Sequence, residues 1–188
     1  MPPTDVDTEN LLLSCRYGDL DDVQEFVKEF GAQPLAETRD ENENCVLHMI
    51  CGNGHLDVLD YLLPIVPTSL LAAQNSAKST PLHWAALNSH LPIMQRLVEF
   101  PGGPGIDLID IKNTAGRSPL GEAELAGWEE GAKWLVQMMK LDADVQEGDA
   151  EEEGGDKVHD IEVEIEDAEG QVAKMTISGS GGGEKNST

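Results

Sequence analysis

Basic residues are scarce in this sequence. Its 188 residues include only 12 lysines and arginines against 36 aspartates and glutamates, so the formal net charge is −24 at neutral pH. A surface with this charge repels nucleic-acid phosphates and anionic lipid headgroups, whereas it attracts basic proteins. The composition therefore argues against direct DNA or RNA binding and favours a basic protein as partner.

The sequence also lacks long apolar runs and an even set of cysteines. No apolar stretch approaches the roughly 20 residues that a membrane-spanning helix needs, and the first residues contain neither the basic segment nor the apolar core of a secretory signal. Three cysteines cannot form a complete set of disulfide pairs. We therefore expect no membrane association and a reducing compartment, the cytoplasm and nucleus.

Acidic residues are concentrated towards the C-terminus. Residues 1–141 contain 21 acidic and nine basic residues, whereas the much shorter segment 142–188 contains 15 acidic and three basic residues and no aromatic residue. Such a segment has too little apolar surface to offset the entropy cost of ordering it. We predict a leader over residues 1–9, a folded domain over 10–141 and a largely disordered acidic tail over 142–188.

One part of this tail has the pattern of paired strands. Ile161, Val163 and Ile165 alternate with glutamates, and a second β-prone run follows at 172–177. This pattern is typical of a β-hairpin, here spanning 161–177. An isolated two-stranded hairpin is only marginally stable in water. Two interpretations therefore stay open, transient structure and a hairpin that orders on a partner or on the folded domain.

A short motif recurs four times in the first part of the chain. Each copy begins with a leucine, has a small residue seven positions later and continues into apolar residues at helical spacing. Successive leading leucines are 36, 35 and 38 residues apart; they are Leu11, Leu47, Leu82 and Leu120. The recurrence predicts four helix-turn-helix units, near residues 10–36, 40–73, 75–110 and 113–141.

These units resemble the ankyrin repeat. The segment Thr80-Pro81-Leu82-His83-Trp84-Ala85-Ala86 nearly matches the T-P-L-H-x-A-A signature of that family, and Gly54-His55-Leu56-Asp57-Val58 matches its G-H-L-x-V. The resemblance covers about residues 10–140 and implies an all-α solenoid of about four repeats with β-turn fingers. Two departures are Cys45-Val46 in place of Thr-Pro and Gly121 in place of the first-helix histidine.

Cys45, His48, Cys51 and His55 have a spacing that superficially suits a zinc site. In the repeat alignment, however, His48 shares its position with His83, and His55 shares its position with His90. The resemblance thus implies turn and packing roles for these histidines, and we expect no metal ion and no cofactor. Because no triad, Cys-His pair or phosphate-binding loop stands in a suitable context, we also expect no enzymatic activity.

The family resemblance implies a binding surface made by the turn tips and the exposed side of the first helices. Tyr17, Leu87 and Trp84 are the predicted apolar anchors, and nearby acids would steer a basic partner. The predicted partner-binding residues are Arg16, Tyr17, Glu41, Glu43, Asn53, Trp84, Leu87, Asn88, Glu122, Glu124 and Leu125. The alternative is that the turn tips are acidic only for solubility.

A narrower resemblance concerns the partner. Segments 47–55, 82–88 and 122–130 are similar to those of small acidic ankyrin-repeat chaperones of fungi that escort a KH-domain protein of the small ribosomal subunit. This implies the same function in ribosome biogenesis, with the chain as a monomer or as a 1:1 heterodimer with its client. Two alternatives stay open: a generic ankyrin adaptor or inhibitor of a signalling or transcription partner, and a histone-type escort that acts through its acidic tail.

Overall fold

The computed structural model describes residues 1–150, 161–166 and 172–177. It comprises two compact units, Met1–Gln146 and Glu147–Thr188. The first unit is helical, with a 3-10 helix at Thr68–Ala72 between the fifth and sixth α-helices. The helices are α1 Asp5–Tyr17, α2 Leu20–Phe30, α3 Gln33–Glu37, α4 Val46–Asn53, α5 Leu56–Leu62, α6 Pro81–Leu87, α7 Leu91–Val98, α8 Asp107–Asp110, α9 Pro119–Leu125 and α10 Glu129–Ala150.

The principal helices form successive pairs, α1 with α2, α4 with α5, and α6 with α7, and α9 and α10 follow them in the chain. The first helices of these pairs pack in series, α1 on α4, α4 on α6 and α6 on α9, and α2, α5 and α7 form a second row. This arrangement confirms the predicted helical solenoid. No helix among the described residues is both long enough and apolar enough to cross a membrane.

The core of the solenoid lies between the stacked pairs. Leu47 and Ile50 of α4, Leu59 of α5 and Leu82 of α6 are completely buried. Each such side chain contributes roughly 1.5–3 kcal/mol when it leaves water. Because every repeat buries its apolar side only against its neighbours, the pairs are stable as a stack and not singly.

A buried histidine links the start of α6 to the next repeat. Pro81 occupies the first helical position, where no backbone donor is needed. The His83 ring accepts at Nδ1 from the N–H of Thr80 at 3.1 Å and from its hydroxyl at 2.8 Å. Its Nε2 donates to the carbonyl of Arg117 at 3.0 Å. Since the carbonyl of Arg117 can only accept and the N–H of Thr80 can only donate, His83 must be neutral, with its proton on Nε2.

His48 has the same arrangement one repeat earlier, although its helix lacks the Thr-Pro start. Nδ1 of His48 lies 3.2 Å from the N–H of Cys45 and 3.1 Å from the Cys45 sulfur, and Nε2 donates to the carbonyl of Ser79 at 2.9 Å. The Cys45 thiol thus takes the place of the threonine hydroxyl. In α9 the equivalent position is Gly121, which has no side chain to make this hydrogen bond. The described chain has no further β-turn after α9 that could accept it.

Three stacked β-turns run along one edge of the solenoid and begin at Asp40, Asn75 and Asn113. In each turn, a side-chain oxygen of the first residue accepts the backbone N–H groups two and four positions later. One backbone hydrogen bond joins the first turn to the second at 3.0 Å, and another joins the second to the third at 2.9 Å. The turns are therefore coupled to one another.

Helix α10 continues to Ala150, so the predicted boundary at residue 141 falls inside a helix. Residues 142–150, which the sequence assigned to the tail, are helical. In the second unit, β1 (Ile161–Glu166) pairs antiparallel with β2 (Val172–Ile177), and Ile161 lies opposite Ile177. Both strands fall within the segment for which the sequence predicted a hairpin. The rest of the predicted disordered tail lies outside the described residues.

The neutral state of His48 makes the stability of the stack dependent on pH. Burial lowers the pKa of His48 from 6.5 to about 4. Between these values the unfolded chain binds a proton that the folded chain does not, so the contribution of His48 is complete above pH 6.5 and is lost as pH falls towards 4. We expect His48→Gln to lower the free energy of unfolding by about 2 kcal/mol at pH 7.5, and by much less at pH 4.5, as measured by urea denaturation.

The matched control for this experiment is Thr38→Val. Thr38 is also buried and donates a hydrogen bond to the carbonyl of Pro34 at 2.8 Å, but its hydroxyl does not titrate in this range. The destabilisation caused by Thr38→Val should be the same at both pH values. An equally constant difference for His48→Gln would show that His48 does not carry this pH dependence.

Candidate protein-binding surface

A polar groove of about 350 Å³ opens beside Trp84, between the first helices and the first β-turn. We call it the Trp84 groove. It contains four of the predicted partner-binding residues, which come from three successive repeats. Its lining residues are Arg16, Asp40, Asn42, Asn44, Met49, Gly52, Asn53, Trp84 and Asn88. The fold therefore brings Arg16, Asn53, Trp84 and Asn88 together.

Trp84 is half-buried against α4. Its ring meets the His48 ring edge-on, with centroids 5.6 Å apart and an interplanar angle of 79°. The ring also lies directly over Gly52, where an added Cβ would come within 2.6 Å of it. Gly52 thus allows the indole to approach the helix backbone, and the part of the ring that stays exposed contributes to the groove.

Asn53 and Asn88 occupy equivalent positions at the ends of α4 and α6. Each donates a side-chain N–H to a carbonyl of its own helix, Asn53 to Met49 at 2.7 Å and Asn88 to Trp84 at 2.8 Å. No described residue donates to the Oδ1 atom of either amide. The groove therefore combines hydrogen-bond acceptors with an aromatic surface, which suits a side chain rich in donors, such as that of arginine or lysine.

The groove itself has little net charge, since Arg16 is its only lining cation and Asp40 its only lining carboxylate. Asp40 already accepts from Asn42 and Asn44 within the turn. Negative charge lies outside the groove, on the exposed side chains of Glu41 and Glu43 in the same turn. The turn acids can thus attract a basic partner without filling the groove.

The other predicted residues on this side lie outside the groove lining. Leu87 of α6 and Leu125 of α9 occupy equivalent repeat positions and are 46% and 64% exposed. Glu124 is also exposed, on α9. Met49, which the sequence analysis did not select, lines the groove and occupies the same repeat position as Trp84. That shared position was the signal that could have identified it.

The predicted role of Glu122 is wrong. Its side chain is buried, and Oε1 accepts from Nδ2 of Asn113 at 2.6 Å and from Nε of Arg117 at 3.0 Å. Glu122 therefore connects α9 to the third β-turn and cannot act as an exposed acid towards a partner. The spacing of Glu122 along α9 did not reveal this, because the contact depends on how the turn folds back.

Tyr17 is 68% exposed but lies apart from the Trp84 groove. It is the repeat equivalent of Asn53 and Asn88, but in the first repeat its neighbours are residues of α2. It lines a separate groove at the N-terminal end of the stack. Its predicted role as an anchor stays a prediction, on a different part of the surface from Trp84.

The cysteines and histidines with zinc-like spacing have other contacts. Cys45 and His48 contact each other, and Nε2 of His55 donates to the carbonyl of Arg16 at 2.9 Å. Burial raises the pKa of the Cys45 and Cys51 thiols, so both stay protonated at neutral pH. Among the described residues, no group of three or more histidine, cysteine or acidic side chains is placed to hold a metal ion. These four residues have turn and packing roles.

Comparison with known proteins finds relatives that contain ankyrin repeats. The protein-family model for ankyrin repeats (3 copies) matches residues 11–108. Ankyrin repeat-containing protein P16F5.05c of Schizosaccharomyces pombe is 33% identical over 152 residues, which cover 81% of this chain and 95% of that protein. Ankyrin repeat-containing protein YAR1 of Saccharomyces cerevisiae is 28% identical over 163 residues, which cover 81% of this chain and 79% of YAR1.

A solved structure is also similar. It is the crystal structure of the yeast ribosomal protein Rps3 in complex with its chaperone Yar1. The match has a TM-score of 0.67 and 26% identity, and it covers 72% of this chain and 95% of the matched chain. The likeness therefore extends over nearly the whole of that chain.

The close approach of Trp84 to Gly52 can be tested by Gly52→Ala. Alanine suits a helix better than glycine by up to about 1 kcal/mol, but its Cβ would displace the indole. We expect unchanged helix content and a shifted Trp84 fluorescence maximum, measured in a Trp128→Phe, Trp134→Phe background. The control is Gly121→Ala, because a Cβ there meets only ordinary contacts, the nearest at 3.4 Å. Identical spectra for the two variants would contradict this account of the groove.

Proposed function

Because the chain belongs to the ankyrin-repeat family, we propose that it is a dedicated chaperone of a basic small-subunit ribosomal protein, which binds at the concave side of the repeats. The observation that carries this proposal is the likeness to the Yar1 chain in complex with Rps3, over nearly all of that chain. The relation to the same protein in sequence, 28% identity over 163 residues, supports it.

The charge of the chain provides the first step of the mechanism. Ribosomal proteins outside the ribosome are basic and associate with RNA and other polyanions. A chain of net charge −24 attracts such a protein and competes for its cationic surface. Exposed acids such as Glu41, Glu43 and Glu124 speed the encounter more than they add affinity.

The Trp84 groove provides the second step, specific recognition. Its indole can receive a lysine or arginine side chain of the client, and such a cation–π contact contributes about 0.5–2 kcal/mol. The Oδ1 atoms of Asn53 and Asn88 accept hydrogen bonds from the same side chain or from client backbone. Leu87, exposed next to Asn88, adds apolar area. The client is thus held by a small central contact surrounded by acids.

This role does not involve catalysis or a bound cofactor. The chain acts by occupying the client surface until the client is handed to the assembling ribosomal subunit. We propose a 1:1 heterodimer with the client, formed in the cytoplasm and carried into the nucleus. A free chain in this role is a monomer.

The proposal is tested by co-expressing the client, a small-subunit ribosomal protein of the Rps3 type, with the full chain. We expect the full chain to keep the client soluble. Trp84→Ala should weaken binding by about 2 kcal/mol or more, as expected of a central anchor. Raising the salt concentration from 0.1 to 0.5 M should also weaken binding, because the distance over which exposed charges attract each other falls from about 10 Å at 0.1 M to a few ångström.

Three further chains extend this test. Leu56→Ser is the matched control for Leu87→Ser, because Leu56 is also an exposed leucine, 37% accessible, but lies on α5; only Leu87→Ser should reduce client solubility. A chain that ends at Ala150, which keeps α10 intact, removes most of the acidic tail and should still bind. If capture needs only the tail and ignores Trp84 and Leu87, an acidic-tail escort replaces this proposal.

A further inference from the structure

A second groove, of about 460 Å³, lies at the N-terminal end of the stack. We call it the N-terminal groove. It is lined by residues of α1, α2 and the turn between them, and by no later helix of the described chain. Leu11 and Phe26 are buried in its floor, whereas Leu13 is 46% and Tyr17 68% exposed at its edge. The first repeat thus leaves an apolar strip uncovered where a neighbouring repeat would stack.

One wall of the N-terminal groove is acidic. Asp22, Glu25 and Glu29 line it along α2, Asp19 lies in the turn just before α2, and Asp7 joins them from α1. No lysine or arginine lines the groove, and no described basic side chain forms an ion pair with these five carboxylates. The combination of an apolar strip and a parallel row of carboxylates complements a helix with an apolar stripe flanked by basic residues.

The chain itself is a poor occupant of this groove. Its segment 142–188 contains 15 acidic and three basic residues, so the wall of carboxylates repels it. A second copy that paired through the same face would place like charges opposite each other, because a two-fold interface brings identical surfaces together. Charge complementarity therefore favours a basic segment of another protein.

We propose that the N-terminal groove is a second docking site, which binds a basic amphipathic helix of a partner protein. The apolar stripe of that helix packs on Leu13, Tyr17 and Phe30, and its lysines or arginines face the carboxylates of α2. Since α1 has 13 residues, a helix of about 20 Å covers the groove and extends the stack by one element. This site goes beyond the proposed function, since it is separate from the Trp84 groove and requires no ribosomal client.

The test uses the full chain and a synthetic leucine–lysine peptide whose leucines recur at helical spacing. A peptide of the same composition with scrambled order is the peptide control. Fluorescence anisotropy should show binding that weakens about tenfold in Tyr17→Ser and in the combined variant Asp22→Asn, Glu25→Gln, Glu29→Gln. The scrambled peptide should also bind about tenfold more weakly to the unmodified chain, because it lacks an apolar stripe.

A second combined variant controls for total charge. Glu99→Gln, Asp110→Asn and Glu130→Gln remove three exposed carboxylates elsewhere and should change the affinity by less than about twofold. If both combined variants weaken binding equally, the peptide senses only net charge and the proposal is wrong. Trp84→Ala should leave peptide binding unchanged, which separates this result from any failure of the proposed chaperone function.

Photo-crosslinking locates the bound peptide. A peptide with a benzophenone on its apolar stripe should crosslink to α1 and α2, near Tyr17 and Phe30. Crosslinks confined to residues 142–188 would overturn the proposal, because they would place the peptide on the acidic segment. Sedimentation of the chain alone tests whether a second copy occupies the groove. A dimer that Tyr17→Ser disrupts would assign the groove to that second copy and would also overturn the proposal.

Discussion

The stack depends on the hydrogen bond that each buried first-helix histidine donates to a carbonyl of the following turn. His48 binds the carbonyl of Ser79 and His83 that of Arg117, at 2.9 and 3.0 Å. The same rings accept the N–H groups at the starts of their own helices. One neutral imidazole thus fixes a helix start and the position of the next repeat, and protonation would remove the acceptor that holds the helix start.

The histidine network also determines where a binding surface can form. Because the turns are held at constant spacing, the residue after each of these histidines points towards the same side, which brings Met49 and Trp84 to one groove. The His48 and Trp84 rings then meet at a near-perpendicular angle, and Gly52 leaves room for the indole. The position of the indole in the groove therefore rests on the same contacts that hold the repeats together.

Charge and shape are distributed differently over the molecule. The Trp84 groove is nearly neutral, with acids on the adjoining turn, whereas the N-terminal groove has carboxylates along its own wall. Both surfaces can attract a basic protein at long range, but the two grooves differ in the kind of group that fits them at contact. A polar aromatic groove suits single donor side chains, whereas an apolar strip beside an acidic row suits an amphipathic helix.

The sequence by itself determined the helix pairs and their order, because caps, apolar periodicity and repeat spacing are local signals. The resemblance to the ankyrin repeat implied the roles of His48 and His83. It also placed Arg16, Asn53, Trp84 and Asn88 on one side. Only the tertiary structure decided that Glu122 is buried and that Tyr17 belongs to a different groove. The contact of Trp84 with Gly52 shows the reason. Gly52 and Trp84 lie one repeat apart in the chain, and only the packing of one repeat on the next brings the indole onto the glycine. The burial of Glu122 likewise depends on how the third β-turn packs against α9.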